Sequence, residues 1–179
     1  MRGVVRPVDV AYDWVSKRFY WADVGRRRIV ATGVPDRDDY NVVSVVKENL
    51  HDLHAIAVNP VSGCVLVFDL NLVLPCFMLM NRYCVFRTLV WIQRGLTPKI
   101  EASRLDGSER RVLQDKAVSW PEDIAFDTLR NTIFWTDSKL RTIETSFADG
   151  SGRRVIRKYR TSIIARLEEE LKWNIFIFS

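Results

Sequence analysis

The sequence predicts an all-β chain built of consecutive four-stranded blades, and three observations carry that expectation. A short aromatic or apolar run ending in Asp occurs three times: Phe19-Tyr20-Trp21-Ala22-Asp23, Val65-Leu66-Val67-Phe68-Asp69 and Ile133-Phe134-Trp135-Thr136-Asp137. The landmarks around these runs keep register, since six residues separate Asp23 from Ile29, Asp137 from Ile143, Ile100 from Asp106 and Ile143 from Asp149. The stretch Gly107-Ser108-Glu109-Arg110-Arg111-Val112-Leu113 aligns with Gly150-Ser151-Gly152-Arg153-Arg154-Val155-Ile156 without a gap. Self-similarity at forty-odd residues, in units that cannot bury their faces without neighbours, is the arrangement of a β-propeller.

Each copy reads as four short strands. The first is Val10-Ala11-Tyr12-Asp13, Ile56-Ala57-Val58-Asn59 or Ile124-Ala125-Phe126-Asp127. The second is the aromatic run, continuously apolar as befits a strand covered on both faces. The third, Lys99 to Arg104 or Thr142 to Ser146, alternates polar and apolar residues. Asp106-Gly107 and Asp149-Gly150 then turn the chain back, because Gly accepts positive φ and Asp tolerates it. The first copy has Pro35-Asp36-Arg37-Asp38-Asp39 there instead, a longer polar loop.

The spacing also locates an interruption. Ala11 to Ala57 is 46 residues, but Ala57 to Ala125 is 68. With Val65 to Asp69 as the second strand of the middle copy, the excess falls at residues 70–94, which carry none of the pattern and read as foreign to it, as a retained intron would. Trp91-Ile92-Gln93-Arg94-Gly95 offers a competing register for that strand.

The Tyr20-Trp21-Ala22-Asp23 and Phe134-Trp135-Thr136-Asp137 strands, with Leu105-Asp106-Gly107-Ser108 and Arg110-Arg111-Val112-Leu113, resemble the class B (Tyr-Trp-Thr-Asp) repeats of the low-density-lipoprotein receptor family. The resemblance covers residues 8–69 and 95–157. It implies about three of six blades of an extracellular propeller, a partial propeller over residues 8–157. It further implies structural repeat positions at Tyr20, Trp21, Asp23, Asp69, Phe134, Trp135, Asp137, Asp106, Gly107, Asp149 and Gly150. Protein ligands, flanking EGF-like modules and a membrane-anchored parent receptor follow from the same resemblance. Half a ring leaves uncovered faces, so the isolated chain is expected to self-associate or to be poorly soluble.

Composition is that of a globular chain, with 47% hydrophobic and 27% charged residues. The net charge of +5 comes with Arg26-Arg27-Arg28, Arg110-Arg111 and Arg153-Arg154, read as exposed arginines of outer strands. No helical recognition element accompanies them, so nucleic acid is not expected. Cys64, Cys76 and Cys84 form no disulfide framework, and with two histidines, His51 and His54, no metal or cofactor site is expected. No apolar signal segment opens the chain, and the uncharged run Leu70 to Asn81 is too short to span a bilayer.

Two functions compete. The first is a non-catalytic protein-interaction module, with residues 34–41 as a contact loop. The second is a metal-dependent propeller hydrolase of lactones or esters, holding its ion at Asp13, Asn59 and Asp127. The first is preferred, because those three recur at one repeat position and suit turn caps. Residues 158–179 leave the pattern. Apolar residues at 163, 164, 167 and 171 predict a short amphipathic helix there.

Overall fold

The computed structural model describes residues 6–33, 42–61, 63–66, 82–85 and 87–159. Three four-stranded antiparallel sheets account for almost all of them. The first blade runs β1 (Pro7–Asp13), β2 (Arg18–Asp23), β3 (Arg28–Gly33) and β4 (Val42–Val46), in that spatial order. The middle part of the chain forms β5 (Leu53–Asn59), the hairpin β6 (Gly63–Leu66) and β7 (Arg82–Val85), then β8 (Thr88–Gln93), β9 (Lys99–Arg104) and β10 (Arg111–Gln114). The second blade is β5-β8-β9-β10, with β6 and β7 paired only to each other. The third is β11 (Pro121–Asp127), β12 (Thr132–Asp137), β13 (Thr142–Phe147) and β14 (Arg154–Lys158). The fold is all-β, a partial propeller, with no helix among the described residues. The tail helix expected beyond residue 158 falls outside them from residue 160 onward.

The first strands are innermost, and β5 packs between β1 and β11. All three carry a register shift at the same place, at Pro7/Asp9, Leu53/Ile56 and Pro121/Ile124. A bulge of this kind increases local twist and re-aims the side chains beside it.

The middle blade corrects the sequence reading. Its second strand is Thr88–Gln93, paired to β5 and β9, not Val65–Asp69. Val65 and Leu66 instead pair with Tyr83 and Arg82 in the hairpin, and Asp69 lies outside the described residues. The interruption therefore sits between Asn59 and Thr88, one connection earlier than residues 70–94. Asp13 to Arg18 and Asp127 to Thr132 are five residues each, whereas Asn59 to Thr88 is 29. The physical reason is burial on both faces. Every residue of β8 is buried, and only this register places a Trp opposite the third-strand Glu.

Two apolar layers form between blades. Tyr20, Ala22, Ile29 and Ala31 of the first meet Ile56, Val58, Leu89 and Trp91 of the second. Val90, Ile92, Ile100 and Ala102 of the second meet Ile124, Ile133 and Trp135 of the third. Consecutive residues of β8 thus serve opposite layers, which explains a continuously apolar strand.

The Asp-Gly turns join blades as well as strands. Gly107 and Gly150 have φ of +89° and +91°. A Cβ at Gly150 would lie 2.8 Å from the Leu113 carbonyl oxygen of the preceding blade, and one at Gly107 would collide with that of Val45. Gly is required there by both backbone conformation and close approach.

A candidate interaction face between the second and third blades

The site is built from the ends of the second strands. Asp137 is fully buried and accepts from the backbone N–H groups of Ser119 (2.7 Å), Trp120 (3.1 Å) and Leu140 (2.9 Å). Asp23 does the same for Arg6 (3.1 Å) and Arg26 (3.2 Å). Each carboxylate pins the turn between the second and third strands to the segment that enters the inner strand. In the second blade Gln93 stands at this position; its Oε1 accepts from His51 N–H (2.6 Å) and its Nε2 donates to Glu101. Unlike a carboxylate, the amide can both accept and donate, so it serves the linker and the neighbouring strand together.

A second set fixes the linkers between blades. Arg110 donates to Glu101 (2.9 Å) and to the carbonyls of Glu48 and Asn49, with its guanidinium carbon 5.4 Å from the Trp91 ring centroid. Arg153 repeats this on Glu144 (2.7 Å), the carbonyls of Lys116 and Ala117, and Trp135 at 5.4 Å. Asn49 and Ala117, whose carbonyls are held, share a φ of 52°. In the first blade Val30 stands opposite Trp21 where the others have Glu. Arg110 and Arg153 are consequently not the exposed outer-strand arginines expected from sequence. The signal was the joint recurrence of Glu and Arg nine residues apart.

These supports present a face at the seam of the second and third blades. Arg94 donates through Nε to the Pro121 carbonyl (2.8 Å), pairs with Glu122, and lies 5.3 Å from the centroid of Trp120. His54 Nε2 is 3.5 Å from Glu122. Burial, and then Arg94, hold the His54 imidazole below its ordinary value against the opposing pull of Asp52, Asp9 and Asp123. Burial raises the Asp9 carboxyl, although it accepts from Ile56 and Val10 N–H. Beside Arg94, a cavity of about 520 Å³ is lined by Asn49, His51, Gln93, Leu96, Thr97 and Lys99. Leu96 is fully exposed on the turn after Gly95, and Trp120, in the linker that enters the third blade, is exposed as well. An exposed indole with an arginine over its ring is made of residue types enriched at contact surfaces.

The other sequence candidates fall elsewhere. Asp13 accepts from Val15 and Ser16 N–H, Asn59 from Val61, and Asp127 from Leu129 and Arg130, so each caps the turn after its inner strand. Among the described residues no three His, Cys, Asp or Glu side chains are grouped to hold a metal ion. The loop at residues 34–41 lies outside the described residues. No described helix is long and apolar enough to cross a membrane.

Known proteins agree with this architecture. Residues 89–128 match the model of the low-density lipoprotein receptor repeat class B. The chain is 28% identical over 96% of its length to the vitellogenin receptor Yl of Drosophila melanogaster, covering 8% of that protein. It is 27% identical over 89% of its length to the human low-density lipoprotein receptor-related protein 5-like protein, covering 53% of it. It thus spans about half of the human relative and a small part of the insect receptor. A solved nidogen/laminin complex contains a chain matched with a TM-score of 0.66 at 25% identity, over 87% of this chain and 49% of that one. A gluconolactonase from Xanthomonas campestris shares the fold alone, with a TM-score of 0.52 at 15% identity. The Trp-x-Asp strands, the Asp-Gly turns and these matches together make the chain a partial β-propeller that is similar to the low-density lipoprotein receptor class B repeats, with residues 89–128 matching that repeat directly.

Proposed function

We propose that the chain is a non-catalytic protein-interaction module, part of the extracellular propeller of a low-density-lipoprotein-receptor-like surface protein, with EGF-like modules beside it in the parent. The observation that carries the reading is the exposed Leu96 and Trp120 beside the cationic Arg94 and Lys99, on linkers clamped by Gln93, Asp137, Arg110 and Arg153. Rigid loops that display apolar anchors suit protein ligands, because little ordering entropy is lost on binding. The repeat-locked residues, Tyr20, Trp21, Asp23, Phe134, Trp135, Asp137, Asp106, Gly107, Asp149 and Gly150, serve to hold that frame. The hydrolase alternative is less favoured, since Asp13, Asn59 and Asp127 each spend one oxygen on turn N–H groups, and the second carboxylate oxygens of Asp13 and Asp127 accept from Arg87 and Arg130.

The relatives suggest the ligands to try first, laminin and vitellogenin. Biolayer interferometry of the wild-type chain against each, beside Leu96→Asp and Trp120→Ala, tests the reading. At least about a tenfold loss of affinity is expected for each variant, as for central apolar anchors. Metal-dependent lactone hydrolysis, with no protein binding, would overturn it.

A further inference from the structure

We infer that Cys64 and Cys84 form a disulfide that ties together the two ends of the inserted stretch in the middle blade. The observation is a juxtaposition made by the backbone: Cys64 and Cys84 are direct cross-strand partners in the β6–β7 ladder. They stand 20 positions apart in the chain, and their spacing to each other and to Cys76 singles out no pair. The ladder runs Gly63 to Val85, Cys64 to Cys84, Val65 to Tyr83 and Leu66 to Arg82, with no shift of register. Directly opposed residues of an antiparallel pair have Cα atoms about 4.5 or 5.5 Å apart, according to their hydrogen bonding. A disulfide joins Cα atoms about 4.4–6.8 Å apart. Either kind of pair therefore suits the bond, and opposed residues share one face of the ribbon.

The fold also gives a reason for a covalent tie. β6 and β7 pair only with each other, so no blade ladder sets their register. A ribbon of two strands is marginal by itself and weakly held against slippage. The bond fixes the register, removes freedom from the unfolded chain, and acts four residues before β8, the strand that carries Trp91 and Gln93. It forms by two exchanges. One Cys thiolate attacks a small-molecule disulfide such as oxidised glutathione, which leaves a mixed disulfide and one glutathione thiol. The other Cys thiolate attacks that mixed disulfide and releases the second glutathione. The two cysteines lose two protons and two electrons, and the oxidant takes them up as its two thiols. The inference rests on the extracellular placement proposed above, where such oxidants prevail.

Peptide mapping tests this on the full chain, equilibrated with reduced and oxidised glutathione and quenched with N-ethylmaleimide. Cleavage by trypsin and by a protease that cuts before Asp separates the three cysteines. Cys64 falls in residues 52–68, Cys76 in 69–82 and Cys84 in 83–87. Peptides 52–68 and 83–87 are expected joined before reduction and separate after it, with Cys76 carrying the maleimide. Cys76→Ser keeps the join, whereas Cys64→Ser abolishes it and leaves Cys84 alkylated. Three alkylated cysteines, a join through Cys76, or a join between two chains in place of the internal one overturns the inference. The redox buffer supplies the oxidant, so those results count against the pairing and not against the extracellular placement. The binding measurement with Leu96→Asp needs no cysteine, and this one needs no ligand, so either reading can fail without the other.

Discussion

Arg153 lies over Trp135, its guanidinium carbon 5.4 Å from the ring centroid, and Arg110 lies over Trp91 at the same distance. Each Arg thereby links the second strand of its blade to a buried Glu and to the linker that leads into the blade. Arg153→Ala strips the ion-pair partner from Glu144, which is nearly inaccessible to water and keeps the Thr142 hydroxyl (2.8 Å) as a donor. The expected loss is about 3–5 kcal/mol by urea denaturation, the range for breaking a buried ion pair. Arg153→Lys keeps the charge but loses the planar fork, and should fall between the two. Equal stability of Arg153→Ala and wild type would remove the latch from the account.

The turn glycines give a sharper test. Gly150→Ala sets a Cβ 2.8 Å from the Leu113 carbonyl oxygen at a φ of +91°. A destabilisation of about 2 kcal/mol or more is expected from strain and overpacking together. Gly33→Ala, with nothing within 4 Å and no positive φ, serves as the control. The difference between their denaturation midpoints is the measurement.

Ala117 occupies left-handed backbone, at a φ of 52°, to present its carbonyl to Arg153. Ala117→Gly relieves the Cβ clash and should stabilise the chain by about 0.5–1 kcal/mol, the left-handed penalty less the added chain entropy. A melting temperature below that of the wild type would contradict this.

The interrupted connection predicts tolerance. Replacing residues 61–86 with two residues leaves a four-residue turn and restores the spacing of the other blades. Stability should be retained or rise by roughly 1–2 kcal/mol, because the shorter loop costs less closure entropy. Trp91→Ala, by contrast, should cost about 3–5 kcal/mol as a fully buried aromatic. Collapse of the shortened chain, with Trp91→Ala tolerated, would return the second strand to Val65–Asp69.

Stability should fall in mild acid, and His54 supplies part of that loss. Its folded pKa lies below the ordinary 6.5, so the unfolded chain takes up the proton first. The contribution is present above about pH 6.5 and is lost as pH falls from there toward the folded value. Further down, Asp106 and Asp149, lowered by the hydroxyls of Ser108 and Ser151, lose theirs below the ordinary 3.8. Asp9 opposes them, since its raised value favours the folded state on protonation. Thermal melts between pH 7.5 and 5 should flatten in His54→Gln; an unchanged slope assigns the dependence elsewhere.

The sequence by itself determined the blades, their order and their turns. Those depend on local chemistry repeated at fixed spacing: an apolar strand flanked by polar ends, and an Asp-Gly turn that only Gly can complete. Phe134-Trp135-Thr136-Asp137 and Asp149-Gly150 were legible because every signal about them agreed. The tertiary structure alone decided which of two apolar runs enters the second blade, since Val65 to Asp69 and Thr88 to Gln93 both suit a strand. Only β8 finds a covering layer on each face and an Arg–Glu pair for its Trp. It also turned Arg110 and Arg153 from surface charge into clamps, and laid Arg94 over Trp120 across the seam of the second and third blades. Those outcomes rest on contacts between blades 27 to 62 residues apart in the chain, where no local pattern carries the information.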